Sequence, residues 1–306
     1  MASKINIEQY ISEIKKRMSL NIDEDIIKKD LLLTLILAEF EKMDLGRDLI
    51  FKGGTLLSRN YLKYHRFSED LDFVFKDSST IRDLPRIPRE RKIKEFIDSF
   101  TPKLKEVADT LNLDFSIDRS NTKYCRIMHP RLVYTFKLYY SDTKFIKVEI
   151  NFVEKLINEP KKASIKAITD FFDSKVMLYE LGLSYQNFNV LSYSLEEIKL
   201  EKYRAILTRK YFQERDLFDL FLIKDSLNAD IKLIIEKIKN SSLIKKDLKK
   251  LINEKLVFLQ NNSFFESKEK VENLSIIQYD KKAFEEFKKK IEPVLIEICR
   301  KFLKNY

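Results

Sequence analysis

The chain has 306 residues, with 58 Lys and Arg against 48 Asp and Glu for a net charge of +10, and it carries two His, two Cys, four Gly and no Trp. At roughly 150 residues per domain, this length makes one large or two ordinary domains, and the apolar content is enough for a core in either case. Two histidines exclude a His-rich zinc site, the widely separated Cys125 and Cys299 exclude a paired-thiolate knuckle, and four glycines exclude both GxxxxGK and GxGxxG phosphate loops.

Scarce cysteine and the lack of a secretory apolar segment behind Met1 predict a reducing, cytoplasmic setting. Lys, Glu or Asp interrupts every apolar run before the ~20 residues a membrane span needs. The positive balance suits either a polyanionic partner or a Lys-rich solvated surface.

In chain order, apolar steps of three and four from Ile5 to Lys42 predict two helices broken near Ser19 to Asp23. Leu49 to Phe51 reads as a strand, Gly53-Gly54 as a turn, and Leu56, Leu57 and Leu62 as the start of a helix. Asp70 to Phe75 alternates carboxylates with large apolar residues and predicts a strand, and Glu90 to Leu111 a helix with a possible break at Pro102. The β-branched and aromatic segments Leu113–Ile117, Tyr124–Met128, Leu132–Tyr140 and Lys144–Phe152 predict antiparallel strands. From Leu195 onward helical spacing prevails, in Leu195–Arg209, Asp216–Asp225, Ile231–Asn240, a Lys-rich stretch to Leu259, and Lys281–Leu303. The expected architecture is α+β: a mixed sheet with flanking helices over residues 1–190, then a mostly helical domain over 191–306, with the boundary near Ser184 to Ser194.

The chemistry concentrates in Phe51-Lys-Gly-Gly-Thr-Leu-Leu57 and Arg66-Phe-Ser-Glu-Asp-Leu-Asp-Phe73. Strand side chains alternate faces, so Asp70 and Asp72 leave one side while Leu71 and Phe73 enter the core. Two carboxylates held side by side repel unless a cation joins them, and a hard divalent ion such as Mg²⁺ takes such oxygens while leaving places for phosphates. Gly53 and Gly54 would let a triphosphate reach amide groups at a helix start, with Thr55 adding a hydroxyl donor or N-cap. An ordinary tight turn is the alternative for the glycine pair, and an exposed strand start the alternative for Asp-x-Asp.

Lys147-Val-Glu-Ile-Asn151 places Glu149 and Lys147 on the face opposite Val148 and Ile150. Beside the Asp70–Phe75 strand, Glu149 would complete a three-carboxylate cluster able to hold two metal ions; elsewhere it would be a solvent-facing Glu. Lys202, Arg209 and Asp216 recur every seven residues, and on one unbroken helix they would share a face, drifting only ~20° per step. That face is either an anion-binding row or a salt-bridge ladder that pins a domain.

Together, Lys52-Gly-Gly-Thr55, Arg66-Phe-Ser-Glu-Asp-Leu-Asp72, Glu149 in a strand, and Lys202 through Arg215-Asp216 and Asp219 resemble the nucleotidyltransferase-fold toxins of the AbiEii and MenT group. The match runs in order from about Leu49 to Ile223, and the helices beyond carry no matching motif. The resemblance implies a polymerase-β-like nucleotidyltransferase core, Mg²⁺ or Mn²⁺, an NTP cosubstrate, an RNA acceptor such as tRNA, a cognate antitoxin, and a role in abortive infection. By position, it implies Asp70, Asp72 and Glu149 as metal ligands, Lys202 as a triphosphate contact, and Asp216 as a later acidic residue of the active site. Lys52, Gly53, Gly54, Thr55, Ser68 and Arg209 complete the expected nucleotide contacts, with Lys202 and Asp216 supplied to the cleft by the second domain.

Basic runs at Arg86, Arg89, Arg91, Lys92 and Lys94, and at Lys245, Lys246, Lys249 and Lys250, suit either an RNA backbone or a solvated helix face. Tyr134, Tyr139 and Tyr140 are candidates to stack on bases or to fill the core. His65, His129, Cys125 and Cys299 read as structural. Two other classes of function stay open at this point: a noncatalytic RNA- or protein-binding module on the same fold, and a metal-dependent transfer of a sugar or, kinase-like, of a γ-phosphate.

Overall fold

The computed structural model describes residues 7–18, 23–128, 132–168, 188–223, 225–240, 245–261, 265, 271–273 and 275–304. His129, Gly182 and residues 184–187 of the predicted boundary lie outside them. The chain divides into two compact units, one from Met1–Val153 and Pro160–Tyr193, the other from Glu154–Glu159 and Ser194–Tyr306.

The first unit opens with α1 (Ile7–Met18) and α2 (Glu24–Lys42), the latter begun by the Asp23 carboxylate, which accepts a hydrogen bond from the Asp25 amide. There follow β1 (Leu49–Lys52), a short α3 (Gly53–Leu56) that continues into a π-helical turn at Leu57–Tyr61, β2 (Asp70–Phe75), α4 (Ser78–Asp83) and α5 (Arg86–Thr110). The remaining strands are β3 (Cys125–Met128), β4 (Val133–Tyr139), β5 (Phe145–Asn151), β6 (Lys161–Ile165) and β7 (Phe188–Ser192).

The seven strands form one mixed sheet in the order β3-β4-β5-β2-β1-β7-β6. β5 shows why its sequence makes a half-buried strand: Ile146, Val148 and Ile150 are buried, while Lys147 and Glu149 between them are only partly covered. On the buried face Phe51 and Phe73 stack at 5.1 Å between ring centres, and Phe40 of α2 meets Phe73 at 6.0 Å and Phe100 of α5 at 6.1 Å. This aromatic core holds β1 and β2 rigidly and turns their polar residues to the opposite face.

Two expectations are corrected here. Leu113–Ile117 is not a strand: Asp114 makes one isolated bridge to Tyr139, because Asn112 takes a left-handed φ of 53° after α5 and the chain soon turns at Asp118. Helix α5 runs through Pro102, since Ile93, Ile97, Phe100, Leu104 and Val107 bury a continuous stripe that outweighs the roughly 3 kcal/mol cost of an interior proline. The expected antiparallel run is present in β3-β4-β5, and β1 with β2 and β6 with β7 also pair antiparallel, while β2 with β5 and β1 with β7 run parallel and make the sheet mixed.

The second unit is helical: α6 (Leu195–Thr208), α7 (Glu214–Leu222), α8 (Ile231–Asn240), α9 (Lys245–Gln260) and α10 (Lys281–Lys304). Helix α10 buries Phe284, Phe287, Ile291, Leu295, Ile298 and Phe302 at steps of three and four. Lys237 is fully buried, 2.8 Å from Glu154 and 2.6 Å from Glu197, and Glu197 also accepts from the amides of Ile157 and Asn158. These bonds explain why residues 154–159 belong to the helical unit although they directly follow the sheet. Among the described residues, no helix is long and apolar enough to cross a membrane.

Candidate active site

The polar face of the sheet is a ladder whose register fixes which side chains meet. Lys52 of β1 lies opposite Asp72 of β2, Asp72 opposite Glu149 of β5, and Glu149 opposite Thr135 of β4. One step along, Asp70 lies opposite Lys147. Alternation on β2 and β5 therefore brings Asp70, Asp72, Lys147 and Glu149 to the same face, as their spacing predicts.

Lys147 Nζ lies 3.0 Å from Asp70 Oδ2 and 3.9 Å from Glu149 Oε2. Burial lowers the affinity of this lysine for its proton, but the charges of Asp72, Asp70 and Glu149 outweigh it and hold the pKa above the ordinary value. Glu149 shifts upward, through burial first and then the neighbouring charge of Asp72, against the opposing pull of Lys147 and Lys52. The Thr135 hydroxyl reaches Glu149 Oε2 at 3.4 Å. Among the described residues, no three His, Cys, Asp or Glu side chains are gathered closely enough to form a metal-holding group, so the expected three-carboxylate cluster is drawn out along the row with Lys147 against two of its members.

The glycine pair is explained by these neighbours. Gly53 has φ +84°, and a Cβ there would stand 2.5 Å from Asp72 Oδ2; a Cβ at Gly54 would stand 2.7 Å from Arg66 Nη2 and 3.1 Å from Ser68 Oγ. Gly53 must be bare, since its φ and the carboxylate of β2 both exclude a side chain, whereas a side chain at Gly54 would have to push the Arg66 guanidinium aside. Thr55 does not cap the helix. Its hydroxyl donates to the Asp70 carbonyl at 2.5 Å and lies 2.9 Å from Ser68 Oγ, so Thr55 and Ser68 brace the start of β2. Lys52 occupies the position before α3 in extended conformation without capping it, largely buried, with Nζ 6.0 Å from the Tyr193 ring centre.

In the helical unit Lys202, Arg209 and Asp216 do converge, but not on one helix. Helix α6 ends at Thr208, Arg209 is extended, and Asp216 lies in the first turns of α7. Lys202 Nζ is 2.9 Å from Asp216 Oδ1 and 2.6 Å from Asp219 Oδ2. Arg209 Nη1 approaches Asp216 Oδ2 at 2.6 Å as an ion pair without hydrogen-bond geometry, and its side chain stays 41% exposed. Burial raises the Asp216 pKa, yet Lys202 and then Arg209 outweigh it, leaving the carboxyl below its ordinary value. Asp219, quoted in the motif, and Lys147, placed on the face of Glu149, are the partners to which the sequence reading gave no site role; the i, i+3 step from Asp216 and the i, i+2 step to Glu149 were the available signals.

Several of the other candidates are buried or paired. Tyr134 and Tyr139 are buried, and Tyr140 donates to Asp25 with Lys28 Nζ 5.2 Å from its ring centre. In the first basic run Arg86, Arg91 and Lys94 pair with Glu90, Glu95 and Asp98. Lys249 and Lys250 are exposed on α9. His65, Cys125 and Cys299 are buried.

A mixed sheet that displays an Asp-x-Asp strand beside a glycine turn is the architecture of a nucleotidyltransferase, and comparison with solved structures agrees. MenT4, a nucleotidyltransferase toxin from Mycobacterium tuberculosis, matches with a TM-score of 0.50 at 13% identity over 96% of this chain and 97% of its own, which establishes the shared fold. The sequence profile of the family described as nucleotidyl transferase AbiEii toxin, type IV toxin–antitoxin system, matches residues 35–301, and the chain belongs to that family of nucleotidyltransferase toxins. No curated protein sequence matches it significantly.

Proposed function

We propose that this protein is a metal-dependent toxin that transfers a nucleotide from an NTP to an RNA acceptor, tRNA first among them, in the cytoplasm. The observation that carries the reading is the register of β2 and β5, which brings Asp70, Asp72 and Glu149 to one face of the sheet with Asp72 directly opposite Glu149. The donor chemistry fits a hard divalent cation such as Mg²⁺ or Mn²⁺, which one or two carboxylates hold together with substrate phosphates: Asp70 and Asp72 offer such oxygens on one face, beside a chain stripped of side chains at Gly53 and Gly54. Asp70 and Asp72, with Glu149, would hold the ion, which when bound supplies Lewis acidity at the α-phosphate and the attacking hydroxyl.

The chain's own groups do the rest. Lys52 and Lys147 offset the anionic charge that a triphosphate brings to the row, and Thr55 and Ser68 keep Asp70 from shifting along its strand. Gly53 and Gly54 leave the backbone approachable, which supports their assignment to the nucleotide. Lys202, Arg209 and Asp216 enter by their place in the family's motif: Lys202 and Arg209 as triphosphate contacts, Asp216 as the anchor that orients both. No histidine base is required in this reading: the acceptor hydroxyl would bond to the α-phosphorus as pyrophosphate leaves, and its proton would pass to a carboxylate of the row or to solvent.

The reaction class is tested by incubating the protein with Mg²⁺, total tRNA and each NTP labelled at the α or γ phosphate. Label from the α position on RNA is the expected result. Label from the γ position on any product would replace nucleotidyl transfer with a kinase reaction, and no product from any NTP would favour a binding module.

A further inference from the structure

Lys147 sits on the face that the carboxylates share, in register with Asp70 and two residues before Glu149. Its ammonium touches the row at 3.0 Å from Asp70 Oδ2 and 3.9 Å from Glu149 Oε2, oxygens that the metal reading assigns to the ion. The next lysine outward, Lys137, is opposite Lys147 in the ladder but is turned to the Phe145 ring, 4.8 Å from its centre. On the other side, Lys52 packs against Tyr193. Lys147 thus lies against both Asp70 and Glu149, while the charge of Lys52 also acts on Glu149.

We propose that Lys147 is a positioning residue, a built-in counter-cation that a divalent ion must displace from Asp70 and Glu149, so that this lysine sets the affinity of the row for metal. The inference rests on the metal-dependent reading above. An ammonium and a divalent ion compete for the same lone pairs on Asp70 Oδ2, and two cations a few ångströms apart repel. The Lys147 side chain is partly exposed and ends a flexible four-carbon stem, so it can leave the row without disturbing β5. Before metal arrives it keeps Asp70 and Glu149 from splaying apart; afterwards its charge is released toward solvent or an incoming anion.

The test is titration of the nucleotide-free protein with Mn²⁺ by calorimetry, paired with thermal melts with and without the ion. Lys147→Met should bind Mn²⁺ more tightly by about tenfold, equivalent to ~1.4 kcal/mol. It should melt lower than the wild type without metal and gain more from adding it. Lys147→Arg, which keeps the charge, should bind no more tightly than the wild type; Lys147→Gln serves in place of the Met variant should that one not fold. A lysine with a merely structural role would lower the melt equally with and without Mn²⁺ and leave its affinity unchanged, and that result overturns the inference while leaving the metal reading intact. Absence of Mn²⁺ binding in wild type and variant alike overturns both.

Discussion

Lys202 is largely buried between Asp216 and Asp219, and the three charges depend on one another because little water reaches them. Such a group contributes little beyond what a well-packed apolar set would, but removing one member strands the others. Lys202→Met is therefore expected to destabilise α6 and α7 by about 3–5 kcal/mol at neutral pH, measured by hydrogen exchange along the two helices. The pH dependence follows from Asp216, whose folded pKa lies below the ordinary carboxylate value of 3.8. A depressed carboxylate contributes its stability in full above that value and loses it as pH falls through the folded pKa. The difference between wild type and Lys202→Met should accordingly be full at pH 7 and shrink below about pH 4, as Asp216 gains its proton. A difference that stays constant across that range would mean that Lys202 acts through packing alone.

At the scale of elements, α6 depends on its first turn. Ser194 Oγ accepts from the Glu197 amide, and the Glu197 side chain in turn anchors Lys237 and the amides of residues 157 and 158. Ser194→Ala removes the cap and should cost about 1 kcal/mol, read as faster amide exchange at the start of α6 and in residues 157–158. Unchanged exchange would show that the buried Glu197 holds the turn unaided. The elements that were legible in the sequence are those with strong periodicity: α2, β2, β5, α8 and α10 lie where apolar spacing puts them, and Asp70, Asp72 and Glu149 share a face because a period of two demands it. What escaped has physical causes. Lys161-Lys-Ala-Ser-Ile165 has no alternation, so β6 exists only through its pairing with β7. The seven-residue recurrence of Lys202, Arg209 and Asp216 correctly suggested proximity but for the wrong reason, since two helices and an extended Arg209 bring them together. The role of Gly53 and Gly54 was half visible: a turn was evident, the close approach of Asp72 and Arg66 was not.

For the whole molecule, the family match to residue 301 extends beyond Ile223, where the legible motif stops, so the C-terminal helices belong to the toxin and are not an appended segment. Their signature is an apolar stripe, as in α10, which no short motif captures. Membership in a toxin–antitoxin family also brings an antitoxin partner and an NTP substrate, and the net charge of +10 suits a polyanionic acceptor. The account stands on the claim that the carboxylates of β2 carry the transfer. The most direct measurement is α-label transfer from NTP to total tRNA by Asp70→Asn and Asp72→Asn proteins that melt as the wild type does. Loss of label to background in both is the predicted result; transfer retained by both would contradict the account and move the chemistry away from this strand.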